Sequence, residues 1–193
     1  MDTACAILAG GKSSRMGRDK ATVEYQGISL IRNVYQKVST VFDDVIVISS
    51  RHATIENVKL PIFRDIVAMQ SPAVGIATAL IYSRKPHIFV VACDMPFLTP
   101  EAMQCILDAS RGMDITIPMV GAYYEPLHAI YSRHCLAPLL RLIDGNNLKI
   151  SNVFPYVTMT VVKDAPCFKR HDGRAVFSNI NTQEELTQIN AGT

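Results

Sequence analysis

The residues best suited to chemistry lie in one short stretch, Leu8-Ala9-Gly10-Gly11-Lys12-Ser13-Ser14-Arg15-Met16-Gly17-Arg18-Asp19-Lys20. Paired glycines let a backbone approach a ligand closely and adopt positive φ. The N–H groups they expose can cradle phosphate oxygens. Lys12, Arg15, Arg18 and Lys20 surround them, with hydroxyls at Ser13 and Ser14. Forked guanidinium donors and point-charge ammonium groups together suit a triphosphate at close range. The loop is not a Walker loop. Gly11-Lys12-Ser13 mimics its end, but the first glycine would have to stand at position 6, which is Ala6. The dinucleotide pattern G-x-G-x-x-G is absent as well. For any one of these residues a plain glycine turn is an equal rival. For four cations, two glycines and two hydroxyls directly after a buried strand, a nucleoside triphosphate is the better reading.

A second candidate is Asp94, which follows the apolar run Ile88–Cys93 and precedes Met95-Pro96-Phe97. A carboxylate at the end of a buried strand can hold magnesium, which takes one or two carboxylates together with substrate phosphates. Taken alone, Asp94 reads better as a turn residue before Pro96. The glycine loop reverses that balance.

The elements that must hold these residues are strand-sized apolar runs alternating with helical patterns. Ala4–Leu8 is the first strand and Ser29–Phe42 an amphipathic helix. Val45–Ser49 and Leu60–Phe63 are strands, and Val74–Tyr82 is a helix starting near Pro72. Ile88–Cys93 is a strand, and Pro100–Ser110 a helix capped by Thr99. Ile115–Pro118, Leu127–Tyr131 and Val157–Val162 are further strand candidates. Arg133–Ile143 is helical with its first turn separated or bent by Pro138. Gln183–Asn190 is a short final helix. The pattern predicts an α/β fold: an open, doubly wound, mostly parallel sheet with helices on both faces and a mixed C-terminal part. Ligands bind such sheets outside the carboxyl ends of the strands.

The bulk composition agrees with one domain over residues 1–193. The chain is 49% hydrophobic and 19% charged with a net charge of +2, so it has a core and no basic field for nucleic acid. No signal-peptide core or membrane span is visible, and a cytoplasmic protein is expected. The five cysteines form no C-x-x-C pair, which argues against a zinc site or disulfide framework, and Cys5 and Cys93 read as buried hydrophobes.

The loop Leu8-Ala9-Gly10-Gly11-x-Ser13-x-Arg15-Met16-Gly17-x-Asp19-Lys20 resembles the signature of nucleotidyltransferases with a glycosyltransferase-A-like (nucleotide-diphospho-sugar transferase-like) fold. Among these it is most similar to the molybdenum cofactor guanylyltransferases. Cytidylyl and uridylyl relatives carry Leu-Ala-Ala-Gly where this chain has a second glycine. The resemblance extends to Cys93-Asp94-Met95-Pro96, whose Asp is the family's magnesium ligand, and to Asp65, which matches a nucleotide-contacting Asp. Ser71-Pro72-Ala73-Val74-Gly75 corresponds to the family's Gly-Pro-Leu-Ala-Gly. Glu125-Pro126-Leu127-His128-Ala129-Ile130-Tyr131 corresponds to Pro-Leu-x-Ala-x-Tyr; no role is assigned to His128. Asn179-Ile180-Asn181-Thr182-Gln183-Glu184-Glu185-Leu186 matches Asn-x-Asn-Thr-Pro-Glu-Glu-Leu, which lines the family's acceptor side. Thr182 and Glu185 also form a capping box. One departure stands at Ile48, where relatives often carry Asn; Ser49 or Ser50 could supply that contact.

The resemblance implies GMP transfer from GTP to the phosphate of molybdopterin, with Mg²⁺ as cofactor and pyrophosphate as leaving group. Arg15, Lys20 and Asp94 are the implied catalytic residues. Leu8, Ala9, Gly10, Gly11, Lys20, Asp65, Asp94, Asn179 and Asn181 are the implied binding residues, and Asp94 the metal ligand. Cofactor-delivery and molybdoenzyme proteins are the implied partners; nucleic acid and membrane are not. Lys169, Arg170, His171 and Arg174 form a basic segment that reads either as a solvated loop or as a dock for a phosphorylated acceptor. Two rivals remain: another nucleotidyltransferase of the same fold, with a sugar or polyol phosphate, cobalamin-precursor or cytidylyl acceptor, and a non-catalytic GTP-binding module.

Overall fold

The computed structural model describes residues 2–10, 23–50, 59–170, 172–173, 175–180 and 185. Strand β1 (Thr3–Ala9) carries small and apolar residues on both sides, as a strand covered twice must. Its side chains alternate. Cys5, Ile7 and Ala9 join one cluster, while Ala6 and Leu8 join another. The first cluster is completed by helices α1 (Leu30–Val38) and α3 (Pro100–Ala109). The second is completed by α2 (Pro72–Tyr82) and α4 (Leu136–Asp144). This is the two-sided cover expected of a doubly wound sheet.

The remaining strands of the main sheet are β4 (Val45–Ser49), β5 (Ile62–Arg64), β6 (His87–Ala92), β7 (Ile115–Val120), β8 (Tyr123–Tyr124), β9 (His128–Ser132) and β10 (Met159–Lys163). Their order is β10-β7-β9-β6-β1-β4-β5, with β8 paired to β7. The β1–β4, β1–β6, β4–β5 and β7–β10 pairs are parallel. Strand β9 runs against both β6 and β7 and supplies the mixed part. The chain winds outward from β1 through β4 to β5, then returns to β6 on the other side of β1. The carboxyl ends of β1 and β6 therefore flank the switch point.

Two boundaries depart from expectation for local reasons. Helix α1 ends at Val38, not Phe42, although Phe42 is buried. The Ser39 and Thr40 hydroxyls donate back to the Gln36 and Lys37 carbonyls at 3.1 and 2.7 Å, which competes with helix continuation. Before α4 a 3-10 turn, Arg133–Cys135, stands as the separate first turn expected from Pro138. A short hairpin, β2 (Glu24–Tyr25) with β3 (Ile28–Ser29), has no apolar run long enough to announce it. It turns through Gln26 and Gly27 at φ 51° and 77°, the positive pair a two-residue hairpin needs. The expected final helix lies outside the described residues apart from Glu185. No described helix is long and apolar enough to cross a membrane.

The amino ends of β7 and β10 and the carboxyl end of β9 are pinned by Asp114. Its carboxylate accepts from the Thr158 N–H and hydroxyl, both at 2.9 Å, and from the Ser132 hydroxyl at 2.8 Å. His134 Nδ1 stands 2.9 Å away. Burial would raise its pKa, but these hydrogen bonds outweigh it and hold the carboxyl at about 2, below its ordinary 3.8. The carboxylate therefore stabilises the fold fully above about pH 4, and the contribution fades as pH falls toward about 2. Asp114→Ala is expected to cost about 2 kcal/mol in denaturant unfolding. Nucleotide affinity should be unchanged, because Asp114 sits at the opposite end of the sheet from the site below. A matching loss of nucleotide binding would contradict that separation.

Candidate functional site

Four strand ends converge at the carboxyl edge. Strand β1 ends at Ala9 and continues into Gly10, and β4 ends at Ser49 and continues into Ser50. Gly10 lies against Ser50: a Cβ on Gly10 would meet the Ser50 backbone nitrogen at 3.0 Å. An alanine there would push Ser50 away by a few tenths of an ångström, so glycine lets the first strand leave the sheet this close to its neighbour. Behind it, a Cβ on Gly75 would meet Leu8 Cδ1 at 3.0 Å, so the first turn of α2 presses onto the end of β1. Leu8 and Ala9 are thus buried core residues that fix the exit of the loop. Gly11, Arg15 and Lys20 lie outside the described residues.

The Ile48 departure has a physical answer. Ile48 pairs with Leu8 and is buried under α2, in the same cluster as Ala73, Val74 and Ile76. Ser49 is fully buried; its hydroxyl donates to the Ser50 carbonyl at 3.0 Å and accepts from Arg64 at 3.2 Å. Arg64 also donates to the Ser50 carbonyl at 2.9 Å. Of the two serines, Ser50 is therefore the one placed at the loop.

Asp65 follows β5 directly and is 9% exposed. Its N–H donates to the Ser49 carbonyl at 3.0 Å. The next residue is tied to α2, since the Ile66 N–H donates to Thr78 Oγ1 at 3.2 Å. Ser71 caps α2, accepting from the Ala73 N–H at 3.2 Å and donating to the Leu148 carbonyl at 3.1 Å. The serine that replaces the family's glycine is thus a helix cap. Asp65 and the capped start of α2 form the β5 side of the edge.

Asp94 is 8% exposed, just beyond the end of β6. The ladder continues past that end, because the Cys93 N–H donates to the Leu8 carbonyl at 3.1 Å. The Asp94 carbonyl accepts from the Ile180 N–H at 3.0 Å. This bond brings exposed Asn179 beside Asp94. Asn181 lies outside the described residues. Underneath, Val23, Tyr25, Leu30, Phe97 and Ile180 form a small buried cluster, with Tyr25 edge-on to Phe97 at 5.9 Å. Three segments far apart in sequence meet there: the hairpin that follows Lys20, the loop after Asp94, and the segment around Ile180.

Next to Phe97 a cleft of about 530 Å³ is lined by Lys37, Lys169, Arg170 and Asp172 among others. The Arg170 guanidinium lies over the Phe97 ring at 3.8 Å and pairs with Asp172 at 3.0 Å. Lys37 donates to the Pro96 carbonyl. Burial, with the Arg170 charge second, lowers the Lys37 pKa. Arg170 is therefore a packing group that holds the Asp94–Phe97 loop down, and Lys37 assists it. Of the basic segment, Lys169 and Arg170 line this cleft, while His171 and Arg174 lie outside the described residues. Lys37 and Phe97 carried no signal in the sequence, since neither sits in a motif.

His128 is fully buried between Phe89 and Phe177, with both ring centroids 5.0 Å away, as befits a core residue. Cys5 and Cys93 are buried free thiols.

The site suits a magnesium ion that arrives with nucleotide. Such an ion needs one or two protein carboxylates, and takes its other ligands from phosphates and water. Asp94 at the switch point meets that need. Among the described residues no group of three His, Cys, Asp or Glu side chains forms a closed cage.

Comparisons with known proteins bear on this geometry. Residues 5–153 match the family model of the MobA-like NTP transferase domain. A probable molybdenum cofactor guanylyltransferase of Pelotomaculum thermopropionicum is 32% identical over 182 residues, covering 94% of this chain and 89% of that protein. One from Clostridium perfringens is 33% identical over 188 residues, covering 95% and 94%. In structure, the molybdopterin-guanine dinucleotide biosynthesis protein A of Archaeoglobus fulgidus superposes with a TM-score of 0.79 at 25% identity, covering 97% of each chain.

Proposed function

Because the chain belongs to the MobA-like NTP transferase domain family, we propose that it transfers GMP from GTP to the phosphate of molybdopterin. The products are a guanine dinucleotide cofactor and pyrophosphate. The observation that carries this reading is the meeting of the Gly10 exit, Asp94 and Asn179 at one end of the sheet. The substrates follow from the activity named for its relatives.

An acceptor phosphate oxygen attacks the α-phosphorus in line. The bond from that phosphorus to the α,β-bridging oxygen breaks, and pyrophosphate leaves with its electron pair. The acceptor phosphate is already a competent nucleophile, so no general base is required. The work left to the protein is positioning and charge neutralisation. The glycine loop with Arg15 and Lys20 holds the triphosphate. Asp65, Ser50 and the start of α2 bound the nucleoside end. Asp94 would hold Mg²⁺, which when bound neutralises phosphate charge. Asn179 and Asn181 are assigned to the acceptor. One domain carries the whole site, and the reaction belongs in the cytoplasm, with carrier and molybdoenzyme proteins as partners.

Calorimetry with GTP, ATP, CTP and UTP in Mg²⁺, followed by pyrophosphate release with molybdopterin, tests this. GTP should bind at least about tenfold more tightly than the others, a discrimination well within the reach of paired polar contacts. Pyrophosphate release should require the acceptor. A preference for CTP or UTP would move the chain to a rival transferase. GTP binding without acceptor-dependent release would leave a binding module.

A further inference from the structure

The sheet edge continues beyond Asp94, away from β4 and β5, through β9 and β7. Strands β6 and β9 are antiparallel, with Val91 opposite His128. Asp94 lies three residues past Val91, and Glu125 three residues before His128. Both therefore leave the sheet at the same edge from neighbouring strands. The backbone of Glu125 is held on two sides: its N–H donates to the Pro118 carbonyl at 3.0 Å, and its carbonyl accepts from the His128 N–H at 3.1 Å. The next residue is pinned too, by the Tyr131 hydroxyl on the Pro126 carbonyl at 2.8 Å.

This firmly held residue carries a half-buried carboxyl group with no hydrogen bond or ion pair among the described residues. Burial alone raises its pKa. A carboxylate drawn partly out of water without a partner is disfavoured, and such groups collect at functional sites. Tyr124 stands beside it, 41% exposed, with its ring edge-to-face on Phe154 at 5.3 Å. Tyr123 is 77% exposed. The neighbourhood offers flat aromatic surface next to an acceptor-only group.

We infer that Glu125 binds the donor edge of the acceptor's heterocycle, a 2-amino-4-oxopyrimidine edge on which a ring N–H and an exocyclic amino N–H lie side by side. Two carboxylate oxygens match two parallel N–H donors. The inference rests on the reading that the acceptor is a pterin. Guanine carries the same edge, so the chemistry alone fits GTP as well. Placement decides between them. The nucleoside end is bounded by β4, β5 and α2 on one side of Asp94, and Glu125 lies on the other.

The test uses the full chain and its Glu125→Gln variant, with pterin-6-carboxylate and its 2-oxo counterpart lumazine-6-carboxylate as fluorescent probes and GTP in parallel. The native protein should prefer the pterin about tenfold, and Glu125→Gln should lose about tenfold in pterin affinity together with that preference. GTP affinity should stay within about twofold, and the melting temperature should not fall, because the amide keeps the side chain's shape and removes a half-buried charge. The KM for molybdopterin should rise correspondingly. If Glu125→Gln weakens GTP instead of the pterin, the carboxylate reads guanine and the inference is wrong. If it alters neither, while the native protein still transfers GMP to molybdopterin, the inference alone fails. If the native protein transfers no GMP to molybdopterin, the functional reading fails and this inference with it.

Discussion

Asp94→Asn is expected to slow GMP transfer by about a thousandfold or more while leaving the fold intact. The two side chains have the same shape, so the 8% exposed site keeps its packing. The bond that fixes the loop runs through the Asp94 backbone carbonyl to Ile180 and does not depend on the side chain. What changes is the charge. A neutral amide is a poor magnesium ligand, and the triphosphate would keep repulsion that a bound ion neutralises. Single-turnover rates across a Mg²⁺ titration check this. The variant should need far more Mg²⁺ and remain slow at saturation, with a melting temperature within a few degrees of native. A variant that turns over at the native rate with the native Mg²⁺ requirement would remove Asp94 from the metal site.

His128→Leu is expected to flatten the pH dependence of stability between about pH 6.5 and pH 4. Burial disfavours the charged imidazole, and the Ala102 carbonyl offsets this only in part, so the folded pKa is about 4 against an ordinary 6.5. Above pH 6.5 the ring is neutral in both states and contributes no pH dependence. Between the two values the unfolded chain binds a proton that the folded protein refuses, so stability falls as pH falls. The full difference is about 3 kcal/mol. Denaturant unfolding at pH 7.5 and pH 4.5 measures it. The Asp114 effect lies below about pH 4 and stays separate. If the leucine variant keeps the native slope, another group is responsible.

The limits of β4 and the Thr99 cap were legible because each is written locally, in an apolar run or in a capping residue. The direction of β9 was not, since an apolar pattern reads the same in parallel and antiparallel strands. The cluster of Val23, Tyr25, Leu30, Phe97 and Ile180 was equally hidden. It joins three segments by contact alone, and no periodicity within any of them names the others. Ser49 shows the same limit. As a residue type it could have replaced the missing asparagine, but Arg64, fifteen residues on, already engages it.

The bond from Ile180 to Asp94 also orders events during synthesis. Strands β1, β4, β5 and β6, with α1 and α2 between them, can pair on the ribosome as they emerge, and N-terminal structure generally does form first. The Asp94 loop gains its last tie only when residues 94–180 are all free to fold back. The hairpin after Lys20 waits for the same segment, since Val23, Tyr25 and Leu30 share a cluster with Ile180. A chain whose translation stalls before residue 180 would lack both ties at once.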